Sequence, residues 1–200
     1  MNEVLLKDLY EYAQINNVPI IKDEGLDKLI EIIKKINAKK ILEIGTAIAY
    51  SSICMALNSD AYIDTIERNK KMYDLAVDNV KKYNLPSRIK IFNEDALMID
   101  TNILDKDYDL IFIDAAKAQY RKFFLKFSPL LRTGGIVFTD NLSFHGMVKK
   151  YQENNLNDVS KDLKALVRKI NDFNIWLKNY DEFDTEFIDI GDGIAISIKK

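Results

Sequence analysis

The stretch DLIFIDAAKAQY, residues 109–120, decides the fold of this chain. Its apolar run from Leu110 to Ile113 has no helical spacing and ends at Asp114. A short continuous apolar run of this kind is typical of a central parallel strand that is covered on both faces. Ligands of open α/β sheets bind beyond the carboxyl ends of the strands. We therefore expect Asp114 to lie at the edge of the sheet where the chemistry takes place.

A second apolar strand, predicted at residues 135–139, is followed directly by Asp140 and Asn141. Because the carboxyl ends of parallel strands meet at one edge of a sheet, these two side chains and Asp114 are expected to lie together. Carboxylate and amide oxygens are the ligands that magnesium and manganese prefer, whereas the chain has no Cys or His cluster that would favour zinc. The pattern therefore indicates a site for a divalent metal ion.

Outward from these strands, short apolar runs alternate with amphipathic segments. Helices are predicted at residues 1–17, 24–36, 51–57, 69–83, 117–131 and 159–179, and strands at residues 41–44, 61–66, 89–92, 110–113, 135–139, 185–190 and 194–198. This alternation predicts βα units and a parallel sheet. The sequence Gly191–Asp192–Gly193 between the last two strands predicts a hairpin. We expect one α/β domain over residues 1–200, in which residues 1–38 form an N-terminal helical cap.

Length and composition limit the classes of protein that fit. The 200 residues suffice for one domain with a sizeable core, and 48% hydrophobic with 30% charged residues is typical of a globular protein. A formal net charge of -2 gives no global field that would attract nucleic acid, and the single cysteine, Cys54, excludes an internal disulfide. No apolar run is long enough for a membrane helix, and the N-terminus lacks a secretory signal. We expect a cytoplasmic protein with no membrane partner.

The first βα turn, ILEIGTAIAYSS at residues 41–52, limits the choice of cofactor. Any α/β protein can carry a turn here, and a dinucleotide oxidoreductase would place several glycines in it so that the backbone approaches the phosphates. Gly45 stands alone in this turn, with Ala47 and Ala49 at the later positions. Glu43 at the strand end would repel a phosphate but suits the ammonium and sulfonium of S-adenosylmethionine. The turn therefore favours that methyl donor over a dinucleotide.

Acidic residues also close the next strands. Glu67 closes the second strand, where a carboxylate can accept hydrogen bonds from both ribose hydroxyls of a nucleoside. Asp95, followed by Ala96, closes the third strand and can meet an adenine amino group. Each acid alone is equally typical of a solvated strand end. Together with Glu43 and Asp114, however, they form a row of four acids along one edge of the sheet.

These residues resemble a known family, the class I S-adenosylmethionine-dependent O-methyltransferases of the catechol and caffeoyl-CoA type. The resemblance rests on LEIGTAIAYSS, the acid in TIERN, NEDA, FIDAAKAQY and GGIVFTDN, and covers nearly the whole chain. Within the family, AAKAQYRKFF, TDNLSFHGMV and the last two strands are most similar to bacterial tRNA 5-hydroxyuridine methyltransferases. The resemblance implies a Rossmann-like, seven-stranded, mostly parallel sheet with an antiparallel last strand and helices on both faces.

The resemblance also implies roles for individual residues. Asp114, Asp140 and Asn141 would hold Mg²⁺ or Mn²⁺, and Lys117 lies where catechol-type members carry a lysine proposed as general base. Eight residues are predicted to bind S-adenosylmethionine, including Glu43 and Gly45 of the first turn: Ile21, Glu43, Gly45, Ser51, Glu67, Asp95, Ala96 and Asp114. Ala49 departs from the glycine of many members, so a left-handed backbone there would be strained.

Three functions remain open at this point. The favoured one is methyl transfer to 5-hydroxyuridine at the tRNA wobble position, which gives 5-methoxyuridine. The alternative is methyl transfer to a small catechol or hydroxylated acyl-CoA-type substrate, and a non-catalytic nucleotide-binding module is disfavoured by the metal ligands. A basic rim would support the tRNA substrate, although an ordinary solvated helix face explains the same residues: Lys117, Arg121, Lys122, Lys126, Lys149 and Lys150. The N-terminal helix is expected either to cover the site or to contribute to a homodimer.

Overall fold

The structure, a computed structural model, describes residues 6–156 and 159–200. Its strands are β1 (Lys40–Ile44), β2 (Tyr62–Ile66), β3 (Ile89–Phe92), β4 (Tyr108–Ile113), β5 (Leu131–Thr139), β6 (Phe183–Ile188) and β7 (Ile194–Lys199). Its α-helices are α1 (Lys7–Ile15), α2 (Asp23–Lys35), α3 (Tyr50–Leu57), α4 (Lys70–Lys82), α5 (Tyr120–Phe127), α6 (Met147–Gln152) and α7 (Lys161–Lys178). Short 3-10 helices lie at Thr101–Ile103, Lys117–Gln119 and Ser128–Leu130.

The strands form one seven-stranded sheet in the order β3-β2-β1-β4-β5-β7-β6. The first five strands pair in parallel, and β7 pairs antiparallel with both β5 and β6. Within the described chain, β7 is thus the single strand that runs against the others. The predicted fold class, a mostly parallel Rossmann-like sheet with an antiparallel last strand, is confirmed.

Strand β4 explains why a continuous apolar run decides the fold. Leu110 and Phe112 pack into the core on one face of the sheet, with residues of α2 and α3. Ile111 and Ile113 pack into the core on the opposite face, with residues of α5 and α7. All four side chains are fully buried, so alternating residues of a single strand anchor both layers of helices.

The register of the sheet brings four strand ends to one level. Ile44 of β1 pairs with Ile66 of β2 and Ile113 of β4, and Ile113 pairs with Thr139 of β5. The residues that follow these pairs are Gly45, Glu67, Asp114 and Asp140. The row of polar residues that the sequence predicts at this edge is therefore aligned by the hydrogen-bonding register itself.

Several predicted boundaries were wrong. The single helix at residues 117–131 is instead a 3-10 turn, α5 and a second 3-10 turn that carries Pro129 at its start. The strand predicted to begin at residue 135 begins at Leu131, and the strand predicted at residues 185–190 is β6, two residues earlier. Helix α6 was not predicted.

The structure describes only part of the predicted N-terminal helix. Helix α1 lies within the predicted helix at residues 1–17, of which residues 1–5 fall outside the described chain. Among the residues that the structure describes, no helix combines the length and apolarity needed to span a membrane. The homodimer, the cytoplasmic location and the cap over residues 1–38 stay predictions.

Candidate active site

A cavity of about 420 Å³ lies beyond the carboxyl ends of β1, β2, β3 and β4. This is the edge at which the register aligns the strand-end residues, as expected for an open α/β sheet. Seven of the eight predicted cofactor-binding residues line it, together with the predicted catalytic lysine: Ile21, Gly45, Ser51, Glu67, Asp95, Ala96, Asp114 and Lys117. The structure therefore brings almost the whole predicted donor site into one cavity.

Gly45, directly after β1, lies close to the backbone of Asp114, directly after β4. Its φ of +104° is left-handed, and a Cβ placed on it would lie only 2.1 Å from the carbonyl oxygen of Asp114. The turn then continues through two more left-handed residues, Ala47 (φ 47°) and Ala49 (φ 65°). A glycine is thus required at residue 45, and the strain expected from alanine at residue 49 is present.

Glu67 is held in place by two backbone amides. Its carboxylate accepts hydrogen bonds from the N–H of Ala47 at 2.9 Å and from the N–H of Asn69 at 2.7 Å. These bonds join the first turn to the start of α4, where the Asn69 side chain caps the helix. A fixed carboxylate at the cavity wall is well suited to accept hydrogen bonds from ribose hydroxyls.

Glu43 is the one predicted cofactor-binding residue that does not line the cavity. It is fully buried and accepts hydrogen bonds from the hydroxyls of Ser51 and Ser52, and from Thr65 at 2.6 Å. Burial raises the pKa of Glu43 to about 7, against the opposing effect of these hydroxyl donors. The Glu43 carboxylate is thus engaged by hydroxyls, one of them from the cavity-lining Ser51, and its contact with the cofactor stays a prediction.

The third strand end carries Asp95 and Ala96. The Asp95 carboxylate accepts a hydrogen bond from the N–H of Leu97 at 2.8 Å, and its other oxygen lies 3.8 Å from the guanidinium of Arg68. Ala96 is buried and belongs to the core on the α5 face. Arg68 also lines the cavity, so the sequence-adjacent pair of Glu67 and Arg68 both face the donor site.

The predicted metal ligands Asp114, Asp140 and Asn141 lie together next to the cavity, and we call this group the corner. The Asn141 amide donates to Asp140 Oδ2 at 2.7 Å and to Asp114 Oδ1 at 3.4 Å. Asp114 also lines the cavity, whereas Asp140 and Asn141 do not. Tyr120, fully buried beneath them, donates from its hydroxyl to the Asp140 carbonyl at 3.0 Å. Asp114 is therefore shared by the cavity and the corner.

The electrostatics of this corner suit a cation. Burial raises the pKa of Asp140 to about 7, and the nearby charge of Asp114 adds to the rise. Burial also raises the pKa of Asp114, and the Lys117 ammonium opposes that shift. No cluster of three His, Cys, Asp or Glu side chains occurs in the described ranges, so the amide of Asn141 has to complete the set. A buried acid, Asp140, a partly buried one, Asp114, and an amide oxygen, exposed by rotating the amide, fit a hard divalent ion.

Lys117 lies between the cavity and the loop at residues 142–146. Its half-buried side chain is on the 3-10 turn after β4, and its Nζ lies 6.0 Å from the centre of the Phe144 ring. His145, beside Phe144, has a side chain that is 60% exposed and does not line the cavity. Of these two basic residues, the lysine lines the cavity and the histidine does not.

Sequence reasoning missed much of the cavity wall. The residues missed are residues 16–20, Ile44, Thr46, Ala47, Tyr50, Ile66, Arg68, Met72, Glu94, Ala115, Ala116, Gln119 and Phe123. Residues 16–20 form the link after α1 and carry no acidic residue at a strand end, which was the pattern used to find the site. Their proximity to the predicted contact Ile21 was the available signal. The link at residues 16–20 thus forms part of the cavity wall, whereas the role of α1, as a cover of the site or in a homodimer, stays a prediction.

A family model described as O-methyltransferase matches residues 2–200 of the chain. The chain belongs to the O-methyltransferase family. Like other members, this O-methyltransferase uses S-adenosylmethionine, and a structure described as an O-methyltransferase from Bacillus cereus in complex with SAH is similar to it. The two are 26% identical with a TM-score of 0.78, over 99% of this chain and 94% of that one.

Other relatives place this O-methyltransferase with the caffeoyl-CoA type. A Staphylococcus aureus structure provisionally described as a caffeoyl-CoA O-methyltransferase is 42% identical, with a TM-score of 0.91 over 98% of this chain and 92% of that one. A caffeoyl-CoA O-methyltransferase of Populus kitakamiensis is 28% identical over 202 residues, 96% of this chain and 84% of that protein. A flavonoid 3',5'-methyltransferase of Vitis vinifera is 28% identical over 194 residues, 94% of this chain and 80% of that protein. The names of these relatives refer to small hydroxylated methyl acceptors, and none of them refers to tRNA.

Proposed function

We propose that this O-methyltransferase transfers the methyl group of S-adenosylmethionine to a hydroxyl oxygen of a small hydroxylated aromatic or aromatic acyl-CoA. One observation supports this most directly. Asp114 lines the donor cavity and also accepts a hydrogen bond from Asn141 in the corner with Asp140. This shared residue supports a mechanism in which the donor and the acceptor oxygen bind side by side. The names of the relatives favour this acceptor class over the tRNA acceptor predicted from sequence.

On the donor side, the chain's own groups bind and orient the nucleoside. Glu67, fixed by two amides, accepts hydrogen bonds from the ribose hydroxyls. Asp95 and Ala96 lie at the third strand end and bind the adenine. The left-handed Gly45 lets the turn approach the methionine part of the donor without a side chain in the way. Ser51, held by Glu43, completes this wall.

On the acceptor side, the oxygen must attack the sulfonium methyl in line and carry negative charge. A simple phenol has a pKa of about 10, so little phenolate exists at neutral pH. A divalent ion bound by Asp114, Asp140 and Asn141 would supply the positive charge that stabilises the oxyanion. Lys117 lines the cavity next to Asp114, and its amine either takes up the acceptor's proton or, as ammonium, pairs with the oxyanion.

Methyl transfer to 5-hydroxyuridine at the tRNA wobble position is the second candidate. Lys149 and Lys150 of α6 are exposed beside the loop that follows the metal ligands, and phosphates of either tRNA or coenzyme A would bind there. Two other members of the predicted basic rim are engaged elsewhere. Arg121 packs on Trp176 at 4.8 Å, and Lys126 donates to the carbonyl of Ile99 at 2.7 Å. The basic surface is thus smaller than the sequence predicted.

One assay separates the two acceptors. Methyl-labelled S-adenosylmethionine is offered with caffeoyl-CoA, a catechol, a flavonoid with vicinal hydroxyls, and tRNA that carries 5-hydroxyuridine. We expect methylation of a small acceptor, loss with a strong chelator and recovery with Mg²⁺. Asp140→Ala should lower the rate by about a hundredfold or more while donor binding and the circular dichroism spectrum stay normal.

The outcomes decide between the candidates. Product on tRNA alone would replace the first candidate with the second. A rate that withstands both the chelator and Asp140→Ala would remove the metal from the proposal.

A further inference from the structure

Asp192 is a buried acid that the donor and metal sites do not use. It lies in the turn between β6 and β7, flanked by two left-handed glycines, Gly191 (φ 62°) and Gly193 (φ 78°). Only 3% of the residue is exposed. A carboxylate so far removed from water is costly unless it is hydrogen-bonded, so its contacts show what it is there to hold.

Among the described residues, every side-chain hydrogen bond and ion pair of Asp192 goes to one loop, residues 142–146. Its Oδ1 accepts hydrogen bonds from the backbone N–H of His145 at 2.5 Å and from the Ser143 hydroxyl at 3.3 Å, and lies 3.5 Å from His145 Nδ1. The backbone of the turn binds the same loop. The Asp192 carbonyl accepts from Ser143 N–H, and the Gly193 carbonyl accepts from Leu142 N–H, both at 2.8 Å.

The other oxygen of the carboxylate has no assigned role. Asp192 Oδ2 is buried and has no hydrogen-bond partner within residues 6–156 and 159–200. Oδ1 alone therefore carries the observed side-chain bonds. The hairpin turn holds the loop through one carboxylate oxygen and two backbone carbonyls.

The loop needs such support because its backbone is strained. Phe144 (φ 48°) and His145 (φ 55°) are both left-handed, Asn141 (φ 63°) precedes them, and Gly146 (φ 74°) follows. Side chains with a Cβ adopt this conformation only where the surroundings impose it. The N–H of His145, at the second strained position, is the group that Asp192 binds most closely.

The loop in turn shapes the acceptor side of the site. It continues directly from the metal ligand Asn141, and its Phe144 ring faces the Lys117 ammonium at 6.0 Å. Movement of the loop would shift Phe144 away from Lys117 and would alter the conformation of Asn141. The donor cavity contains no residue of this loop, so donor contacts would remain.

We propose that Asp192 is a positioning residue for acceptor binding. From the β6–β7 turn it holds loop 142–146 in its strained conformation, and the loop then presents Phe144 beside Lys117 and Asn141. Asp192 acts through the loop and does not contact the donor. This inference rests on the proposed function, because it requires that the acceptor binds against the loop.

The kinetic test compares two substitutions at Asp192. Asp192→Ala removes the acceptor for His145 N–H and should raise the KM for caffeoyl-CoA, or for 5-hydroxyuridine tRNA if that is the substrate, by about tenfold. Asp192→Asn keeps an oxygen at Oδ1 and should restore KM to within about threefold of the unaltered protein. The dissociation constant for S-adenosylmethionine should change by less than about twofold in both.

Asp184→Ala is the matched control. Asp184 lies in the same hairpin, but its side chain is 76% exposed and pairs with Lys200. The Asp184→Ala substitution should leave the KM for the acceptor and the dissociation constant for S-adenosylmethionine unchanged. An unchanged KM in Asp192→Ala would overturn the proposal, and so would an equal loss of donor affinity, which indicates general disruption. If Asp192→Ala does not fold, Gly193→Ala takes its place, since its Cβ would lie 2.7 Å from Ser143 N and would push the loop off the turn.

A second measurement needs no acceptor. Hydrogen exchange of the His145 amide, whose acceptor is the Asp192 side chain, should accelerate about tenfold in Asp192→Ala and much less in Asp192→Asn, whereas the Ser143 amide keeps the backbone carbonyl of residue 192 as its acceptor. Unchanged exchange would overturn the proposal. If the unaltered protein methylates neither caffeoyl-CoA nor tRNA, the proposed function fails, while the exchange rates still show whether Asp192 holds the loop.

Discussion

At the scale of single residues, Glu43 shows that a carboxylate at a strand end can be hydrogen-bonded behind the cavity wall. Its three hydroxyl donors include Ser51, which lines the donor cavity. A charged group buried in this way shifts its protonation equilibrium and does not remain freely ionised. The consequence is that protein stability, and not only ligand binding, should depend on the state of Glu43.

Glu43 should make the protein less stable as the pH rises from about 5 to 7. Burial raises its pKa from 4.5 to about 7, so in this window the folded protein keeps a proton that the unfolded chain has released. The free energy of unfolding therefore falls as the pH rises, by roughly 3 kcal/mol in total, and is constant above the folded pKa. Glu43→Gln cannot titrate and should show a shallower slope.

Urea unfolding at pH 5 and pH 8, in the presence of a chelator, measures this difference. Asp140, whose pKa is also raised to about 7, supplies a slope that remains in Glu43→Gln. The comparison between the unaltered protein and Glu43→Gln therefore uses the pH dependence of the free energy of unfolding. The absolute free energy is not compared, because glutamine also alters the hydrogen bonds with the hydroxyls. Identical slopes in the two proteins would mean that Glu43 is ionised in the folded state.

The same residue marks a limit of sequence reasoning. A sequence shows which residues end a strand, and seven of eight predicted donor contacts do line the cavity. It does not show which way a side chain turns when hydroxyl donors lie behind it. Those donors come from α3 and β2, so their approach to Glu43 depends on tertiary packing.

At the scale of elements, the turn after β1 packs so closely against the end of β4 that it leaves no room for a side chain at residue 45. Gly45→Ala would place a Cβ 2.1 Å from the Asp114 carbonyl oxygen, and one of the two backbones would have to move. We expect a loss of roughly 2–4 kcal/mol in the free energy of unfolding. We also expect donor affinity to fall by about tenfold or more, since both residues line the cavity.

Gly146→Ala provides a control for the backbone strain alone. Gly146 is also left-handed (φ 74°), but a Cβ there would meet no atom within 4 Å. Its substitution should cost only about 1–2 kcal/mol and leave donor affinity unchanged. Unfolding curves and calorimetric titration with S-adenosylmethionine measure both effects. Equal effects of the two substitutions would show that contact with Asp114 is unimportant.

The elements also differ in how well a sequence predicts them. Strand β4 is apolar on both faces and was predicted closely, whereas edge strand β6 is half exposed and was displaced by two residues. Strand β5 begins early because Leu131 pairs with Tyr108 and Arg132 binds Asp109 at 2.6 Å. Such pairings join residues far apart in the sequence, so no local pattern reveals them.

At the scale of the whole molecule, the N-terminal segment contributes to the wall of the donor cavity. Residues 16–21 line the cavity, and Asp8 of α1 binds Lys82 and Tyr83 at the end of α4. Donor binding should therefore slow hydrogen exchange in residues 16–21, although the remaining donor contacts lie much later in the sequence. The expected slowing is about tenfold or more at saturating S-adenosylmethionine.

Mass spectrometry of exchange with and without the donor tests this prediction. Strand β6, at the far edge of the sheet, serves as the internal reference and should not change. Equal protection of both segments would indicate general stabilisation, and no protection of residues 16–21 would show that the segment does not contact the donor.

The position of β7 has a consequence for how the enzyme is made. It is synthesised after the other six strands, yet it lies inside the sheet, between β5 and β6. Until β7 emerges from the ribosome, one edge of β5 is unpaired. All residues of the donor cavity lie between Asn16 and Phe123, whereas Asp192 is synthesised only after β6, two residues before β7 begins. A chain that ends before Asp192 therefore contains every residue of the cavity wall but lacks the turn that holds loop 142–146.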